Sequence, residues 1–326
     1  MTVSFIAWGR FFDPQGNKVT IPAPSTDRGF PWLWDWVAEY APDLARAGFE
    51  EVQAPPDGKA QGGAGAGCDG YGLFDPRDMG SKNQQGSVPT RYGSLDSLRR
   101  AVARAHAAGL TWSRDVVLHQ RMGSNAGPGT YRYLGSDGRT LNGRGPLNPG
   151  CFRGIPPATR PDDEVPNQFW DISFGDELVY QNCEPAGYTI HDALDCHNQA
   201  FRKIGADGAR IDDVKGTWAE MVHLFATSNQ MAGLAFYGEY VDSAQTLQWW
   251  TTSSPILGRV GAEDFPMQAA MRNFCAGGNA SGLDGCGFAT INGPLAVCFV
   301  ENPDTDTTPG ENIVSSKMLT YAFPPN

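Results

Sequence analysis

The apolar positions of the chain follow two alternating periods. Short apolar runs typical of strands begin near residues 3, 50, 113, 209, 234, 259 and 296. Between them, apolar residues recur at helical spacing in the segment from Phe30 to Phe49, which ends on Ala-Gly. A second helical segment, from Gly93 to Leu110, opens at the good N-cap residue Ser94 and closes at Gly109. The pattern therefore predicts repeated units of a strand followed by a helix.

Further helices are predicted at residues 193–204, 217–228 and 312–323. Repeated units of this kind favour a parallel sheet, and polar or acidic residues recur where successive strands end, which is typical of a closed barrel. Seven strands are found, and the chain ends at Asn326 just after the helix that would lead into an eighth. We therefore predict an α/β fold of the (β/α)8 TIM type, truncated after the seventh β/α unit.

Residues 121–192 break this alternation. The segment is rich in Gly, Pro, Asn and Asp and has little helical period. Such a segment in a compact protein usually forms an inserted subdomain or a functional loop. We predict a loop-rich subdomain inserted after the third strand, with residues 1–120 and 193–326 forming the barrel.

Composition and charge narrow the classes of partner. Lys and Arg number 25 against 36 Asp and Glu, a formal net charge of -11, which opposes binding to nucleic acid. No apolar run reaches the roughly 20 residues needed to span a membrane, and the opening residues lack the pattern of a signal peptide. We expect a soluble protein, either cytoplasmic or secreted with its leader removed, whose ligand is neutral. Its seven cysteines lack CxxC spacing, which argues against a zinc site.

Carboxylates stand where three predicted strands end. Asp212 closes the fourth strand, Glu239 follows the fifth, and Glu301, Asp304 and Asp306 follow the seventh. Because the carboxyl ends of barrel strands point to one mouth, these acids are expected to converge there. Each also has a structural interpretation. Asp212 could form an ion pair with Arg210, Glu239 could be a hydrogen-bonded core acid, and the acids after the seventh strand could belong to a turn with helix-capping residues. Acids at three strand ends nevertheless favour a common site, since buried charge is costly.

Paired carboxylates are the groups that glycoside cleavage requires, one as nucleophile and one as proton donor. Arg210 would favour the ionised form of Asp212 and so lower its pKa. Glu239 is flanked by Phe236, Tyr237 and Tyr240, apolar surroundings that would raise its pKa. The sequence thus predicts a nucleophile at Asp212 and an acid at Glu239.

The chain resembles the α-amylase family of retaining glycoside hydrolases. Near matches to the four short motifs of that family occur in the right order, as "DVVLHQ" from Asp115, "GARIDDVKG" from Gly208, "YGEY" from Tyr237 and "FVENPDT" from Phe299. The segment "GYGLFDPRDMG" from Gly70 is similar to the family's strand-2 loop. The resemblance covers nearly the whole chain and implies a TIM-type barrel acting on α-glucans.

The resemblance implies a role for each matching residue. Asp212 would be the nucleophile, Glu239 the general acid/base, and Asp304 a third catalytic acid that binds sugar hydroxyls. Among the expected substrate-binding residues, Tyr71 would stack under the sugar and Arg210 would orient the nucleophile. Lys215 would lie on the leaving-group side, and Asp115 would support the site from behind. The other expected substrate-binding residues would lie near the sugar: His119, Gln120 and Asn302.

Two motifs depart from the family pattern. His119 and Gln120 stand where an Asn that helps to bind calcium and a His that contacts the sugar are usual, and Pro303 replaces a second such His. Calcium takes six to eight oxygen ligands, none of which His119 can supply, so Ca²⁺ binding is left open. No organic cofactor is implied. Other oxygen ligands would come from the inserted segment, which offers Asn142, Asp162, Asp163, Asp171 and Asp176.

Three functions are compatible with these residues. The first is a hydrolase that cleaves α-1,4-glucosidic bonds of starch, glycogen or maltooligosaccharides by a retaining double displacement. The second is an α-glucan transglycosylase that uses the same acids, with a sugar in place of water as acceptor. The third is an inactive truncated barrel that binds glucan. The expected partner in every case is an α-glucan, without nucleic acid or membrane.

Overall fold

Seven parallel strands form the main sheet of the protein, which we analysed as a computed structural model. The structure describes residues 3–7, 10–12, 18–20, 32–65, 69–135, 137–139, 141, 147, 176–177, 194, 198, 201–228, 231–317 and 320. The strands of the main sheet are β1 (Ser4–Ile6), β2 (Glu51–Ala54), β3 (Thr111–Val117), β4 (Gly208–Asp212), β5 (Ala235–Gly238), β6 (Gly261–Glu263) and β7 (Ala296–Val297). All seven predicted strands are confirmed.

The order of the strands in space is their order in the chain, from β1 to β7. Every neighbouring pair is parallel; Gly208 of β4, for example, lies opposite Ser113 of β3 and Ala235 of β5. An open doubly wound sheet would reverse its order at a switch point, whereas a barrel wall adds strands in one direction. The order therefore agrees with the predicted TIM-type barrel.

A contact across the concave face shows how strongly the sheet curves. The hydroxyl of Tyr237 in β5 donates to Oε1 of Gln53 in β2 at 2.9 Å, although two strands separate them in the sheet. Both side chains are buried. Side chains of non-adjacent strands thus meet inside the curve, as they do in the filled interior of a barrel.

Helices lie between the strands. Those predicted after β1 and β2 are confirmed as Leu33–Arg46 and Leu95–Ala107, and Ser94 caps the second by accepting from the Ser97 N–H. The predicted segment 217–228 contains the helix Ala219–Thr227. The remaining helices of the described residues are Ala244–Thr252, Phe265–Cys275, Ala289–Asn292 and Pro303–Thr307, with 3-10 turns at Ala280–Leu283 and Gly293–Leu295.

The predicted helix at residues 312–323 is wrong in its first part. Residues 312–316 are not helical, and helical backbone begins at Lys317. The N–H of Ile313 donates to Oε1 of Glu301 at 2.6 Å, and Ser316 has a φ of 55°. The left-handed backbone at Ser316 is incompatible with a continuous α-helix through this segment.

The predicted inserted subdomain lies largely outside the described residues. Within them, Gln120–Arg121 pairs antiparallel with Asp176–Glu177. Tyr131 bridges to Leu147, and its ring packs against Phe74 at a centroid distance of 6.0 Å.

Outside the inserted segment, two further two-stranded pairs join Arg10–Phe12 with Lys18–Thr20 and Lys59–Ala60 with Leu73–Asp75. No helix in the described part of the chain is long and apolar enough to cross a membrane.

Candidate active site

The carboxyl ends of four consecutive strands bring charged side chains to one edge of the sheet. Asp115 belongs to β3, Arg210 and Asp212 to β4, Glu239 follows β5, and Glu263 ends β6. Parallel strands present their carboxyl ends at the same edge, which is where barrel enzymes bind ligands. The predicted convergence of Asp212 and Glu239 is therefore confirmed.

One guanidinium group joins these acids. Nη1 of Arg210 lies 2.9 Å from Oδ2 of Asp115 and 2.8 Å from Oδ1 of Asp212. Nη2 lies 2.9 Å from Oε1 of Glu239, and Nε lies 3.3 Å from Oε1 of Glu263. Only 2% of the Arg210 side chain is exposed. The planar fork of arginine donors thus fixes four carboxyl groups from four strands around one cation.

A single cation does not fully offset the desolvation of the carboxyl groups gathered around it. Burial raises the pKa of Asp115 and raises that of Asp212 well above its ordinary value, although Arg210 opposes both shifts. Burial also raises the pKa of Glu263, to about 7. For Arg210, burial lowers the pKa, but Asp115 and Glu239 outweigh it and the net pKa is raised. The prediction that Arg210 leaves Asp212 with a lowered pKa is therefore wrong, because desolvation exceeds the attraction of one shared guanidinium.

The carboxyl group of Glu239 has polar surroundings, not the apolar ones that its sequence neighbours suggest. Oε1 contacts Arg210, and Oε2 accepts a hydrogen bond from the main-chain N–H of Asp213 at 3.1 Å. Asp213 has a φ of 40°, a left-handed conformation that Asp tolerates better than most residues. This turn directs the Asp213 N–H at Glu239. The predicted apolar environment of Glu239 is wrong at its carboxyl end, since its aromatic neighbours in sequence point elsewhere: Tyr237, for example, hydrogen-bonds Gln53.

Three expected substrate-binding residues lie beside these acids. The hydroxyl of Tyr71 donates to Oδ2 of Asp115 at 2.8 Å, and Nε2 of Gln120 donates to the Tyr71 carbonyl at 3.1 Å. Nδ1 of His119 lies 3.3 Å from Oδ2 of Asp213. His119 and Gln120 are each 2% exposed, whereas Tyr71 is half-buried. In this structure His119 and Gln120 thus reach the site through Asp213 and Tyr71.

Lys215 lies at the rim, beyond the strand that carries Glu239. Its Nζ donates to the Val241 carbonyl at 3.0 Å and to Oδ2 of Asp242 at 2.8 Å, and it lies 5.6 Å from the centroid of the Tyr240 ring. Hydrogen bonding to Lys215 is one of the effects that lower the pKa of Asp242, against the opposing effect of partial burial. The ammonium group is partly exposed, so a ligand entering from this side can meet it.

The segment after β7 forms a tight turn that carries Asp304. Asn302 caps the helix Pro303–Thr307: its Oδ1 accepts from the N–H groups of Asp304 and Thr305. Nδ2 of Asn302 donates to Oε2 of Glu263 at 3.4 Å. Asn302 is 3% exposed, while Asp304 is exposed. The structure therefore links Asn302 to the acid cluster through Glu263 and leaves Asp304 facing solvent.

Glu301 has a structural task in the same turn. It accepts hydrogen bonds from the Thr305 hydroxyl at 2.7 Å and from the Ile313 N–H at 2.6 Å, and it lies 3.3 Å from Nζ of Lys317. The side chain of Asp306 lies outside the described residues. Of the acids predicted after β7, Glu301 thus serves the turn itself.

The structure leaves calcium binding a prediction. Within the described ranges, no group of three or more His, Cys, Asp and Glu side chains could hold a metal ion. The side chains of the inserted segment named as ligands, Asn142, Asp162, Asp163, Asp171 and Asp176, lie outside the described residues.

Sequence reasoning missed two residues of the cluster. Glu263 ends β6 and is 3% exposed, so the same strand-end rule that identified Asp212 applies to it. Nothing in the sequence pattern distinguishes Asp213 from its neighbour Asp212, yet the backbone turn and N–H of Asp213 position Glu239. The first could have been found from the sequence; the second depends on a φ value that the sequence does not reveal.

The chain has sequence relatives among the α-amylases. It is 32% identical over 133 residues to an α-amylase of Geobacillus stearothermophilus, a match covering 38% of this chain and 24% of the relative. It is 26% identical over 265 residues to the cytoplasmic α-amylase of Escherichia coli K12, covering 66% of this chain and 52% of that one. The matches thus span about half the length of these relatives or less. No family profile matches the chain.

Solved structures share the fold at low sequence identity. The γ-CGTase from alkalophilic Bacillus clarkii superposes with a TM-score of 0.63 at 16% identity, covering 95% of this chain and 47% of that one. The α-amylase of Geobacillus thermoleovorans, solved in complex with acarbose, gives a TM-score of 0.53 at 17% identity, covering 83% and 53%. With the barrel order of the strands, these comparisons show that the chain is similar to α-amylases in part of its sequence and shares their fold.

Proposed function

We propose that this chain carries the catalytic barrel of an α-glucan hydrolase that cleaves α-1,4-glucosidic bonds with retention of configuration. One observation carries the proposal: Arg210 holds Asp212 and Glu239, from neighbouring strands, on the two terminal nitrogens of its guanidinium group. Two carboxyl groups held this close at the mouth of a barrel are the arrangement that a double displacement requires. The α-amylase relatives support an α-glucan as the substrate class.

In the proposed reaction, Asp212 attacks the anomeric carbon while Glu239 donates a proton to the leaving oxygen. The glycosidic bond breaks, the leaving sugar departs, and Asp212 stays bonded to the anomeric carbon. Water then enters: Glu239 takes a proton from it, its oxygen bonds to the anomeric carbon, and the bond to Asp212 breaks. This assignment follows the motif positions, since the raised pKa of Asp212 does not distinguish nucleophile from acid.

The surrounding residues would prepare this pair. Arg210 orients Asp212, and Asp115 supports Arg210 from behind by accepting from Nη1. Tyr71 would stack under the sugar ring, with its hydroxyl fixed by Asp115. Asp304 would bind sugar hydroxyls at the bond to be cleaved, and Lys215 would lie on the leaving-group side.

The experiment is product analysis with maltoheptaose as substrate, in which proton NMR monitors the first turnovers. Retention predicts that the newly formed reducing ends appear first as the α-anomer and then mutarotate. Shorter oligosaccharides indicate hydrolysis, whereas oligosaccharides longer than the substrate indicate transglycosylation. Initial formation of the β-anomer would contradict the double displacement.

The inactive glucan-binding barrel is tested in the same preparation. The Asp212→Asn and Glu239→Gln variants serve as blanks, because each removes one member of the proposed pair and keeps the size of its side chain. Binding of maltoheptaose by the parent chain, without any turnover above these blanks, would replace the hydrolase with a binding function.

A further inference from the structure

Glu263 is the member of the acid cluster to which neither the motifs nor the proposed reaction gives a task. It ends β6 and is 3% exposed. A carboxyl group is costly to bury, so its presence among Asp115, Asp212 and Glu239 calls for a reason. Its two oxygens have different partners, and those partners belong to different strands.

One oxygen faces the centre of the site. Oε1 of Glu263 lies 3.3 Å from Nε of Arg210, the one guanidinium nitrogen that does not contact Asp115, Asp212 or Glu239. Glu263 therefore completes the set of carboxyl groups around Arg210. Because the guanidinium is planar and rigid, an acceptor at Nε restricts its rotation and so restricts where Nη1 and Nη2 can point.

The other oxygen faces the turn after β7. Oε2 of Glu263 accepts from Nδ2 of Asn302 at 3.4 Å. The amide orientation of Asn302 is fixed, since its Oδ1 already accepts from the N–H groups of Asp304 at 3.1 Å and Thr305 at 2.9 Å. Nδ2 is thus the atom that faces Glu263. Asn302 caps the helix whose second residue is Asp304.

We propose that Glu263 is a positioning residue, which ties the Asp304-bearing turn to Arg210 and thereby holds the third acid in register with Asp212 and Glu239. The link runs from Arg210 through Glu263 and Asn302 to the backbone of Asp304. It acts on residues from β4, β6 and the turn after β7, which share no continuous chain segment. This inference rests on the proposed function, because Asp304 has a catalytic task only if the site cleaves glycosides.

Glu263→Gln tests the link with little change in volume. The introduced amide has one acceptor oxygen, so it can satisfy Arg210 or Asn302 but not both, and its N–H group then opposes a donor. If the link positions Asp304 for the transition state, kcat and kcat/KM on maltoheptaose fall together by about tenfold or more, with KM nearly unchanged. Glu311→Gln makes the same chemical change on an exposed side chain and serves as the matched control.

Asn302→Asp tests the link from its other end. The new carboxylate still caps the helix, because Asp is as good an N-cap as Asn, but it replaces the donor that faces Glu263 with an oxygen. A loss similar to that of Glu263→Gln is expected. Circular dichroism and the thermal midpoint of each variant establish that it folds.

The double variant E263Q/N302D is the decisive measurement. In it the donor and acceptor are exchanged: the introduced amide donates to the new carboxylate and still offers its oxygen to Nε of Arg210. The inference predicts that the double variant recovers most of the activity lost by either single variant. Losses that multiply in the double variant, or a Glu263→Gln variant as active as Glu311→Gln, would overturn it.

Failure of the proposed function has a different signature. In that case the unsubstituted chain would show no hydrolysis above the Asp212→Asn blank, and the inference would fall with it. An active chain whose rate is indifferent to Glu263 would overturn the inference alone.

Discussion

Replacing Lys59 with Met should destabilise the protein severely, although Lys59 is remote from the proposed chemistry. The Lys59 side chain is fully buried, and its Nζ donates to the carbonyl oxygens of Val88 at 2.6 Å, Ser87 at 2.8 Å, Pro89 at 3.0 Å and Lys82 at 3.2 Å. Oδ2 of Asp78, also fully buried, lies 3.6 Å away. One ammonium group thus holds the loop of residues 82–89 against the hairpin Lys59–Ala60 and Leu73–Asp75.

The size of the effect follows from what Met leaves behind. Met fills the space of the aliphatic stem but donates no hydrogen bond, so the carbonyl groups and Asp78 lose their shared cation. Burial lowers the pKa of Lys59, which means that desolvation offsets part of the attraction from Asp78. The net loss is therefore smaller than the sum of the hydrogen bonds, and breaking one side of a buried pair typically costs about 3–5 kcal/mol. That is a large share of the roughly 5–15 kcal/mol by which domains are stable.

Urea unfolding monitored by tryptophan fluorescence measures this loss as a shift of the midpoint at constant slope. Lys203→Met is the matched control, because Lys203 is exposed and its substitution should change the free energy of unfolding by about 0.5 kcal/mol or less. A Lys59→Met variant within about 1 kcal/mol of the parent chain would refute the reasoning that the ammonium holds the loop.

Three more predictions follow from buried charges. Lys59→Ala leaves the carbonyl oxygens and the Asp78 carboxylate around an empty space, and Ca²⁺ takes such oxygen ligands. Millimolar CaCl2 should therefore raise the thermal midpoint of Lys59→Ala but not that of Lys203→Ala. Equal shifts in the two variants would contradict this. Arg114→Met breaks a bidentate pair with Asp57, with contacts of 2.9 and 2.5 Å, and should cost about 3–5 kcal/mol in urea unfolding, against little for the exposed Arg99→Met. Glu263 has a folded pKa raised by burial to about 7, so its contribution to stability is present below its ordinary value of 4.5 and is lost as the pH rises towards 7. The stability of the parent chain relative to Glu263→Gln should therefore fall over this range and level off above it, and a rise would contradict the sign.

The strands and the meeting of Asp212 with Glu239 could be predicted because both follow from backbone geometry. Apolar runs of strand length alternating with helical segments dictate a parallel sheet, and parallel strands bring their carboxyl ends to one edge. The meeting of Asp212 and Glu239, which are 27 positions apart in the sequence, could thus be predicted without side-chain information. The helix predicted from Asn312 failed in its first part because the backbone of Ser316 is left-handed, with a φ of 55°, and the apolar pattern gives no sign of that turn.

The chemistry of the cluster depended on distances that no pattern carries. Arg210 extends across the curved interior and thereby contacts four acids. As a consequence the pKa of Asp212 is raised, whereas the pair of Arg210 and Asp212 alone suggests a lowered pKa. Lys59 shows the same limitation. A lysine in a Gly-rich segment is typical of a solvated loop, and only the fold shows that its ammonium is enclosed by carbonyl groups.

Release of reducing ends from soluble starch tests the central claim most directly. The parent chain and its Asp212→Asn variant are purified alike and assayed side by side. Release by the parent chain alone is the predicted result, and it would establish that the acids held by Arg210 cleave α-glucans. Equal release by both, or release by neither, would contradict the account of Asp212 as the nucleophile of a glycoside hydrolase.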